Sequence, residues 1–253
     1  MQNIIITVAG KGGVGKTSIA AAIVRQLVRD HGDSRILAID ADPAVGLATA
    51  LDVDVKLTLD NIRKEITESG EGDKEKKRAI ELLAESKFRI FDAMVEKDGF
   101  AFIAIGRPEA AGCYCSINSY LKEVIEMIAD EFDYIVIDGE AGIEQVNRRV
   151  MTNVTHLLLV TDPSKKGTGV IAAIKKVADE LVMYKKVGAI VNRFNDPDLK
   201  QYISTGDVPV LAYIPDDKQL AMLDVQGKSV MDLPDSSNMV IGVKEVLDAI
   251  GCR

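Results

Sequence analysis

The segment Gly10–Thr17 reads G-K-G-G-V-G-K-T and carries two lysines among four glycines. It follows an apolar run, Ile4–Ala9, and precedes a helical pattern, Ser18–Val28, a context in which G-x-x-x-x-G-K-[ST] predicts a phosphate-binding loop. Glycines let backbone N–H groups curl around an anion, and the helix N-terminus adds its dipole. Lys16 is expected to reach the terminal phosphates and Thr17 to bind Mg2+. The predicted nucleotide-binding residues here are Gly10, Lys11, Gly12, Gly13, Val14, Gly15, Lys16, Thr17 and Ser18.

Two carboxylates close the second apolar run, which ends Asp40-Ala41-Asp42-Pro43. Residues i and i+2 at a strand end point the same way, so both acids are expected to face the phosphates. Pro43 disfavours a helical conformation at Asp42. Two acids beside a Mg2+-nucleotide can hold metal-bound waters and orient the attacking water. One of the two could instead cap a helix that begins near Ala44.

A third acid, Asp138, ends another apolar run, Tyr134–Asp138. A hydrophobic strand that terminates in a single aspartate is typical of the acid that contacts Mg2+ directly or through water in phosphate-binding ATPases. Asp138 is therefore predicted to belong to the Mg2+ shell.

The three cysteines include a close pair, Cys113-Tyr114-Cys115, and a distant Cys252. Two thiols at i and i+2 can lie on one side of an extended segment, but two ligands are an incomplete site for a tetrahedral metal or an iron–sulfur cluster. A homodimer with its axis through this loop would bring four thiolates together, because an isologous interface places the same patch against itself. The alternatives are two buried cysteines or a strained disulfide.

The composition restricts the class of protein. The chain has 253 residues, of which 47% are hydrophobic, so one large domain spanning residues 1–253 is expected. A net charge of −8 and a pI of about 5.0 argue against non-specific nucleic-acid binding. The sequence has neither a long apolar span nor a leader pattern before its first strand. We therefore expect a cytoplasmic protein that binds neither nucleic acid nor membrane.

Apolar runs alternate with helical patterns along the chain, which indicates an α/β fold with a doubly wound, mostly parallel sheet of about seven strands flanked by helices. Most runs are continuous in Val, Ile, Leu and Ala, as expected of strands buried on both faces. Ligands then bind beyond the C-terminal strand ends. The predicted strands are Ile4–Ala9, Arg35–Asp40, Ala101–Gly106, Tyr134–Asp138, His156–Thr161, Val187–Asn192 and Val208–Ile214.

The loop with its early second lysine, Lys11, resembles the deviant Walker A motif of the P-loop superfamily that includes MinD, ParA and the nitrogenase iron protein. This resemblance implies a Mg2+-dependent ATPase in which Lys11 crosses a dimer interface to the partner's nucleotide. It also implies that Asp42 positions or activates water and that Asp40 lies in the Mg2+ shell. The sequence Gly139-Glu140-Ala141-Gly142 resembles the switch II segment, where a glycine N–H senses the γ-phosphate.

Base recognition is also read from this resemblance. In relatives, an Asn at the position of Asn192 lies against adenine, and in this chain Arg193 follows it. The loop that passes the base in relatives matches Pro215-Asp216. An Asn amide can pair with a purine edge in a bidentate way, although Asn also favours turns. No N-K-x-D element is present, so ATP is favoured over GTP.

The run G-C-Y-C-S-I-N-S-Y-L, followed by I-D-G-E-A-G-I-E-Q, resembles CooC-type ATPases, which mature nickel enzymes. The resemblance implies a homodimer whose Cys113 and Cys115 bind Ni2+ or Zn2+ at the interface, and a client that is a carbon monoxide dehydrogenase or an acetyl-CoA synthase. Cys252 matches nothing in this family.

Two other functions remain open from the sequence. One is an ATP-dependent electron-transfer protein with an iron–sulfur cluster at the dimer interface, against which the absence of Cys from 138–145 argues. The other is a ParA- or MinD-type positioning ATPase. The acidic charge and a final helix without a basic amphipathic face argue against that reading.

Overall fold

The computed structural model describes residues 3–68, 89–106, 122–123, 125–139 and 153–252. These residues form one mixed sheet in the order β3-β4-β2-β5-β1-β6-β7-β8, in which every neighbouring pair except β3 and β4 is parallel. The strands are β1 Ile4–Gly10, β2 Ile36–Asp40, β3 Val95–Lys97, β4 Phe100–Ala104, β5 Tyr134–Asp138, β6 Asn153–Thr161, β7 Met183–Asn192 and β8 Val210–Ile214.

Helices connect the strands and cover both faces of the sheet. Those described in full are α1 Lys16–Asp30, α2 Gly46–Leu51, α3 Leu59–Glu68, α4 Lys165–Leu181, α5 Lys218–Val225 and α6 Asn238–Ile250, with short 3-10 turns at Pro197–Tyr202 and Val230–Asp232. Residues 89–93 and 125–129 are also helical. Within the described residues, no helix is long and apolar enough to cross a membrane.

The core lies in two layers because successive side chains of a strand point to opposite faces. In β1, Ile5 and Ala9 pack into the layer that includes Ile171 of α4, while Ile6 and Val8 pack into the layer built from α1 and α6. A strand buried on both faces is therefore apolar at nearly every position, and in β1 the buried Thr7 is the polar exception. The continuous apolar runs of the sequence are explained in this way.

The α/β class and the mostly parallel sheet of about seven strands are confirmed, and the described residues form eight strands. The additional strand, β3, is the antiparallel edge strand that pairs Val95–Lys97 with Phe100–Phe102 through a turn at Asp98-Gly99. It has three residues, two of them charged, and it is only partly buried. Such a short edge strand carries no apolar run by which the sequence could predict it.

All seven predicted strands are present, Tyr134–Asp138 with its predicted bounds and the others with shifted ends. The structure extends β6 and β7 toward their N-termini, to Asn153 and Met183. The sequence pattern predicts a helix over Gln145–Asn153. Residues 145–152 lie outside the described residues, and Asn153 begins β6. Cys113, Cys115 and residues 140–142 also lie outside them.

Candidate functional site

The predicted phosphate-binding loop joins β1 to α1 at the C-terminal edge of the sheet. Gly10 has a φ of 154°, and a Cβ on it would lie 2.2 Å from the Val160 carbonyl oxygen of the neighbouring strand. Gly13 and Gly15 have φ values of 79° and 92°, which side-chain-bearing residues rarely adopt. The loop therefore depends on glycine for its backbone conformation and for its close approach to β6.

The first turn of α1 is open toward the loop. Gly15 occupies the N-cap position in a left-handed conformation and supplies no side-chain acceptor to the first-turn amides. The side chain of Lys16 is buried, and its Nζ donates to the Lys11 carbonyl oxygen at 3.2 Å. Free N–H groups, the helix dipole and a lysine ammonium thus converge on one point, which suits a phosphate.

Asn192, at the end of β7, holds this loop directly. Its Nδ2 donates to the Val14 carbonyl oxygen at 2.8 Å, and a Cβ on Gly15 would lie 2.5 Å from the same nitrogen. Asn192 is buried, so this contact is shielded from water. The sequence predicted Asn192 as a reader of adenine, and the structure shows that its amide nitrogen is used by the loop.

Asp40 organises the segment after β2. One carboxylate oxygen accepts from the Asp42 amide at 3.0 Å, and the other accepts from Leu47 and Ala48 at 2.8 and 3.4 Å. It thereby caps α2, whose N-cap residue Val45 provides no side-chain acceptor. Burial raises the pKa of Asp40 to about 6 despite these hydrogen bonds. Of the two acids Asp40 and Asp42, one was considered as a helix cap, and the structure shows that Asp40 caps α2.

Asp42 lies on the open side of the same segment. Its Oδ1 accepts from the Ala44 amide at 2.8 Å, and the residue lines a 470 Å³ cavity together with Gly12, Lys16 and Thr17. A carboxylate in this position faces the volume that the loop offers to phosphates, where an attacking water would also lie.

Asp138 differs from Asp40 because neither of its carboxylate oxygens has a hydrogen bond of regular geometry from a described residue, although both are buried. Burial raises its pKa to about 7, and the nearby Thr17 hydroxyl and the charge of Lys16 only partly oppose this effect. An unpaired buried carboxylate is costly unless a cation or a donor joins it. Mg2+ fits, because it binds to one or two protein oxygens and takes its remaining ligands from phosphates and waters.

A larger cavity of 520 Å³ adjoins the loop on the other side. It extends from Thr17 and Ser18 past Arg193 to the loop at Pro215-Asp216 and the apolar side chain of Leu220. Arg193 lines both cavities, and its left-handed backbone (φ 60°) marks the turn after β7. The structure therefore brings the predicted base-side residues to one cavity beside the loop.

The Pro215-Asp216 loop is braced on two sides. The Asp216 amide donates to Asn195 Oδ1 at 2.8 Å, and Asn195 Nδ2 returns a hydrogen bond to Asp216 Oδ2 at 2.6 Å. Asp217 caps α5 by accepting from Gln219 and Leu220. These bonds shape a rigid wall for the larger cavity.

The predicted thiolate site, Cys113 and Cys115, lies outside the described residues, which themselves contain no group of three or more His, Cys, Asp or Glu side chains placed to hold a metal ion. Cys252 is buried in the layer of α1 and α6, and burial raises its pKa to about 11. Its carbonyl oxygen contacts His31 Nε2 at 3.1 Å. Cys252 is thus a packed C-terminal residue.

Sequence reasoning missed two residues at this edge, Asp162 and Ser164. They follow β6 in the sequence Thr161-Asp162-Pro163-Ser164, and Asp162 Oδ1 accepts from the Ser164 amide at 2.9 Å. An acid followed by proline at a strand end is the same signal that drew attention to Asp42. It was available in the sequence.

The chain belongs to the CobQ/CobB/MinD/ParA nucleotide-binding family, whose model matches residues 5–230. It is 34% identical over 251 residues to an uncharacterized ATP-binding protein of Methanocaldococcus jannaschii, covering 97% of this chain and 98% of that relative. Together with the loop, the open helix start and the acids around it, this membership defines a P-loop ATPase.

Two named relatives differ little in similarity. The carbon monoxide dehydrogenase accessory protein CooC of Rhodospirillum rubrum is 29% identical over 240 residues, covering 90% of this chain and 89% of CooC. The septum site-determining protein MinD of Synechocystis is 28% identical over 244 residues, covering 91% of this chain and 82% of MinD. Identity alone therefore does not separate the two functions.

The fold is shared with a solved structure of MinD from Pyrococcus horikoshii, complexed with Mg-ADP. The TM-score is 0.68 at 22% identity, and the match covers 99% of this chain and 96% of the other. The similarity supports the MinD/ParA-like architecture.

Proposed function

We propose that this ATPase binds Mg2+-ATP, dimerises with nucleotide and metal bound, and assists nickel insertion into a carbon monoxide dehydrogenase or an acetyl-CoA synthase. The observation that carries the nickel role is the pair Cys113-Tyr114-Cys115, within a stretch that resembles CooC-type ATPases. The whole-length similarity to CooC of Rhodospirillum rubrum supports it.

The phosphate side of the proposal rests on the contacts around the loop. The first-turn amides of α1 and the buried Lys16 bind the phosphate chain, and the paired amide of Asn192 keeps the loop in shape for it. Thr17 and Asp138 hold Mg2+, which when bound neutralises phosphate charge. Asp40 supports this region by fixing the start of α2.

Hydrolysis proceeds by in-line attack of a water that Asp42 orients beside the terminal phosphate. Lys11 from a second protomer neutralises charge that develops on the transferred phosphoryl group, as a cation supplied in trans. ATP thus favours the dimer, because the dimer completes the set of charges around its phosphates.

Dimerisation would also complete the nickel site. One protomer supplies two thiols and its partner two more, which is the number that a tetrahedral or square-planar thiolate site requires. Metal and nucleotide then strengthen each other's binding because both stabilise the same closed dimer. In this scheme nickel is cargo.

The test is the stoichiometry of Ni2+ binding on anaerobically purified protein. We expect one Ni2+ per two chains, with tighter binding when a non-hydrolysable ATP analogue is present. The Cys113→Ser/Cys115→Ser variant should lose this binding, while Cys252→Ser, which removes a buried thiol remote from the nucleotide loop, should keep it. Binding that survives in the double variant would contradict the proposal, as would a reducible iron–sulfur EPR signal from the same cysteines.

A second candidate function is a positioning ATPase, which the 28% identity to MinD of Synechocystis favours. It predicts that anionic lipid vesicles or DNA stimulate ATP hydrolysis and that the Cys113→Ser/Cys115→Ser variant hydrolyses ATP normally in their presence. Stimulation by vesicles or DNA, together with the absence of stoichiometric nickel binding, would favour the positioning ATPase over the nickel role.

A further inference from the structure

Asp162 lies between two cations at the edge of the sheet. In the parallel register, Gly10 of β1 is paired with Val160 of β6, and Thr161 of β6 is paired with Val191 of β7. Lys11 follows Gly10, and Arg193 lies two residues beyond Val191. The ends of three adjacent strands therefore place one carboxylate with a cation on either side.

The carboxylate of Asp162 is held firmly from one side only. Its Oδ1 accepts from both the amide and the hydroxyl of Ser164, and a Cβ on Gly167 would lie 2.4 Å from that oxygen. Among the described residues, Oδ2 accepts no hydrogen bond and forms no ion pair within 4 Å. A fixed carboxylate with one uncommitted oxygen is suited to act on nearby charges through space.

The charges around Asp162 are consistent with that role. Partial burial would raise its pKa, but the two hydrogen bonds from Ser164 and the positive charges of Lys11 and Arg193 together lower it. Attraction between opposite charges is mutual, so the carboxylate also attracts Lys11 and Arg193.

The proposed nucleotide site includes the same two cations. Arg193 lines both the phosphate-side and the base-side cavities, and Lys11 is the lysine assigned above to the partner's nucleotide. The polyphosphate of ATP carries several negative charges against the single charge of Asp162. Nucleotide and Asp162 therefore compete for Lys11 and Arg193.

We propose that Asp162 is the internal counter-ion of Lys11 and Arg193 in the nucleotide-free protomer and that it restrains both cations until ATP and a second copy of the chain take them over. This inference rests on the proposed dimerising ATPase. It makes Asp162 a positioning residue that sets the ATP concentration at which dimers form.

The test compares Asp162→Asn with wild type. Asparagine keeps the oxygen that accepts from Ser164 and removes the charge. We expect binding of a non-hydrolysable ATP analogue with Mg2+ to tighten by about two- to five-fold at low salt, with a smaller gain at 300 mM salt. KM for ATP should fall by a similar factor with kcat within about two-fold, because the competing charge acts before chemistry.

Two controls separate charge from structure. Asp162→Glu retains the charge and should restore wild-type affinity. Asp54→Asn removes one exposed carboxylate between α2 and α3 and should leave affinity unchanged. A lower Tm in Asp162→Asn with unchanged affinity and KM would mean that Asp162 only supports the start of α4, and would overturn the proposal.

Double variants show which cations transmit the effect. In the Lys11→Ala background, Asp162→Asn should no longer lower the ATP concentration needed for dimerisation, measured by sedimentation velocity. An undiminished effect in both the Lys11→Ala and the Arg193→Ala backgrounds would overturn the counter-ion role. If Lys11→Ala alone dimerises like wild type, the trans role of Lys11 fails, while the affinity change in Asp162→Asn is still read independently through Arg193.

Discussion

Helices α1 and α4 both begin where a parallel strand ends, at the same edge of the sheet, but their first turns are completed differently. At α1 the N-cap is Gly15, which has no side chain to accept from the first-turn amides. At α4 the N-cap is Ser164, whose hydroxyl oxygen accepts from the Gly167 amide at 3.0 Å. The start of α4 therefore satisfies one of its amides from within the chain, whereas α1 has no side-chain cap and leaves its first-turn amides for a phosphate.

The same contrast separates Asp40 from Asp138, which lie at neighbouring strand ends with paired residues in the register of β2 and β5. Asp40 accepts three backbone hydrogen bonds, whereas Asp138 accepts none of regular geometry from the described residues. The acid that the protein itself satisfies is a structural cap, and the one left unsatisfied is available to a metal ion. At this edge of the sheet, the unsatisfied carboxylate of Asp138 marks the side that faces the ligand.

The largest effect is expected from a change in the phosphate loop at the start of α1. Gly15→Ala places a Cβ 2.5 Å from Asn192 Nδ2 at a φ of 92°, so the loop must shift. Left-handed strain and overpacking together cost about 3 kcal/mol, which corresponds to roughly a 100-fold loss of ATP affinity if the loop gives way. Isothermal titration calorimetry with Mg-ATP measures the loss of affinity.

The matched control is Gly169→Ala in α4, where a Cβ meets nothing within 4 Å. It should keep ATP affinity and stabilise the helix by about 0.5–1 kcal/mol. Equal ATP binding by wild type and Gly15→Ala would show that the loop does not rely on this close approach.

Asp138→Asn tests the unsatisfied acid. In the proposed Mg2+ site, removing the Asp138 carboxylate should lower Mg2+ affinity and ATP turnover by about 10- to 100-fold. Turnover is measured by phosphate release across a Mg2+ titration. Asp54→Asn serves as the exposed control, and normal turnover of Asp138→Asn at low Mg2+ would remove Asp138 from the metal site.

The nucleotide-free protein should also show the cost of burying Asp138. Its folded pKa of about 7 lies above the 3.8 of an exposed aspartate, so the native state binds more protons than the unfolded state, and stability falls as pH rises from about 4 to about 7. At about 1.4 kcal/mol per unit the loss approaches roughly 4 kcal/mol. Asp138→Asn should therefore melt about 5 °C or more above wild type at pH 8, with little difference at pH 4.

Differential scanning calorimetry without Mg2+ or nucleotide checks this dependence. Mg-ATP should reduce the difference at pH 8 by stabilising wild type more than the variant. An Asp138→Asn protein that melts below wild type at pH 8 would contradict the assignment of Asp138 as an uncompensated buried carboxylate.

The smallest effect is expected at the start of α4, where Ser164 caps the helix. Ser164→Ala removes the cap of α4 and should cost about 1 kcal/mol of stability, measured by urea unfolding. The Asp162 charge remains, so ATP affinity should change less than two-fold. A larger loss of ATP affinity would show that the start of α4 also shapes the nucleotide site.

The sequence sufficed to predict most of the sheet, the loop and most of the residues around it. Strands buried on both faces are apolar at nearly every position, and the loop motif lies between a strand and a helix. It was insufficient for β3, whose three residues owe their pairing to the turn at Asp98-Gly99 rather than to hydrophobicity. Cys113 and Cys115 remain predictions made from spacing and resemblance.

The sequence by itself determined the fold class and the position of the phosphate loop, since both depend on local composition, spacing and periodicity. The ATPase family was inferred from the resemblance of the loop to a known motif and was then shown by the family match. Only the tertiary structure decided which role each of several chemically similar side chains has. Asp40 and Asp138 are both aspartates at strand ends, and Asn192 could face a base or a backbone. Which hydrogen bonds such groups form depends on partners distant in the chain, and no local pattern records those partners.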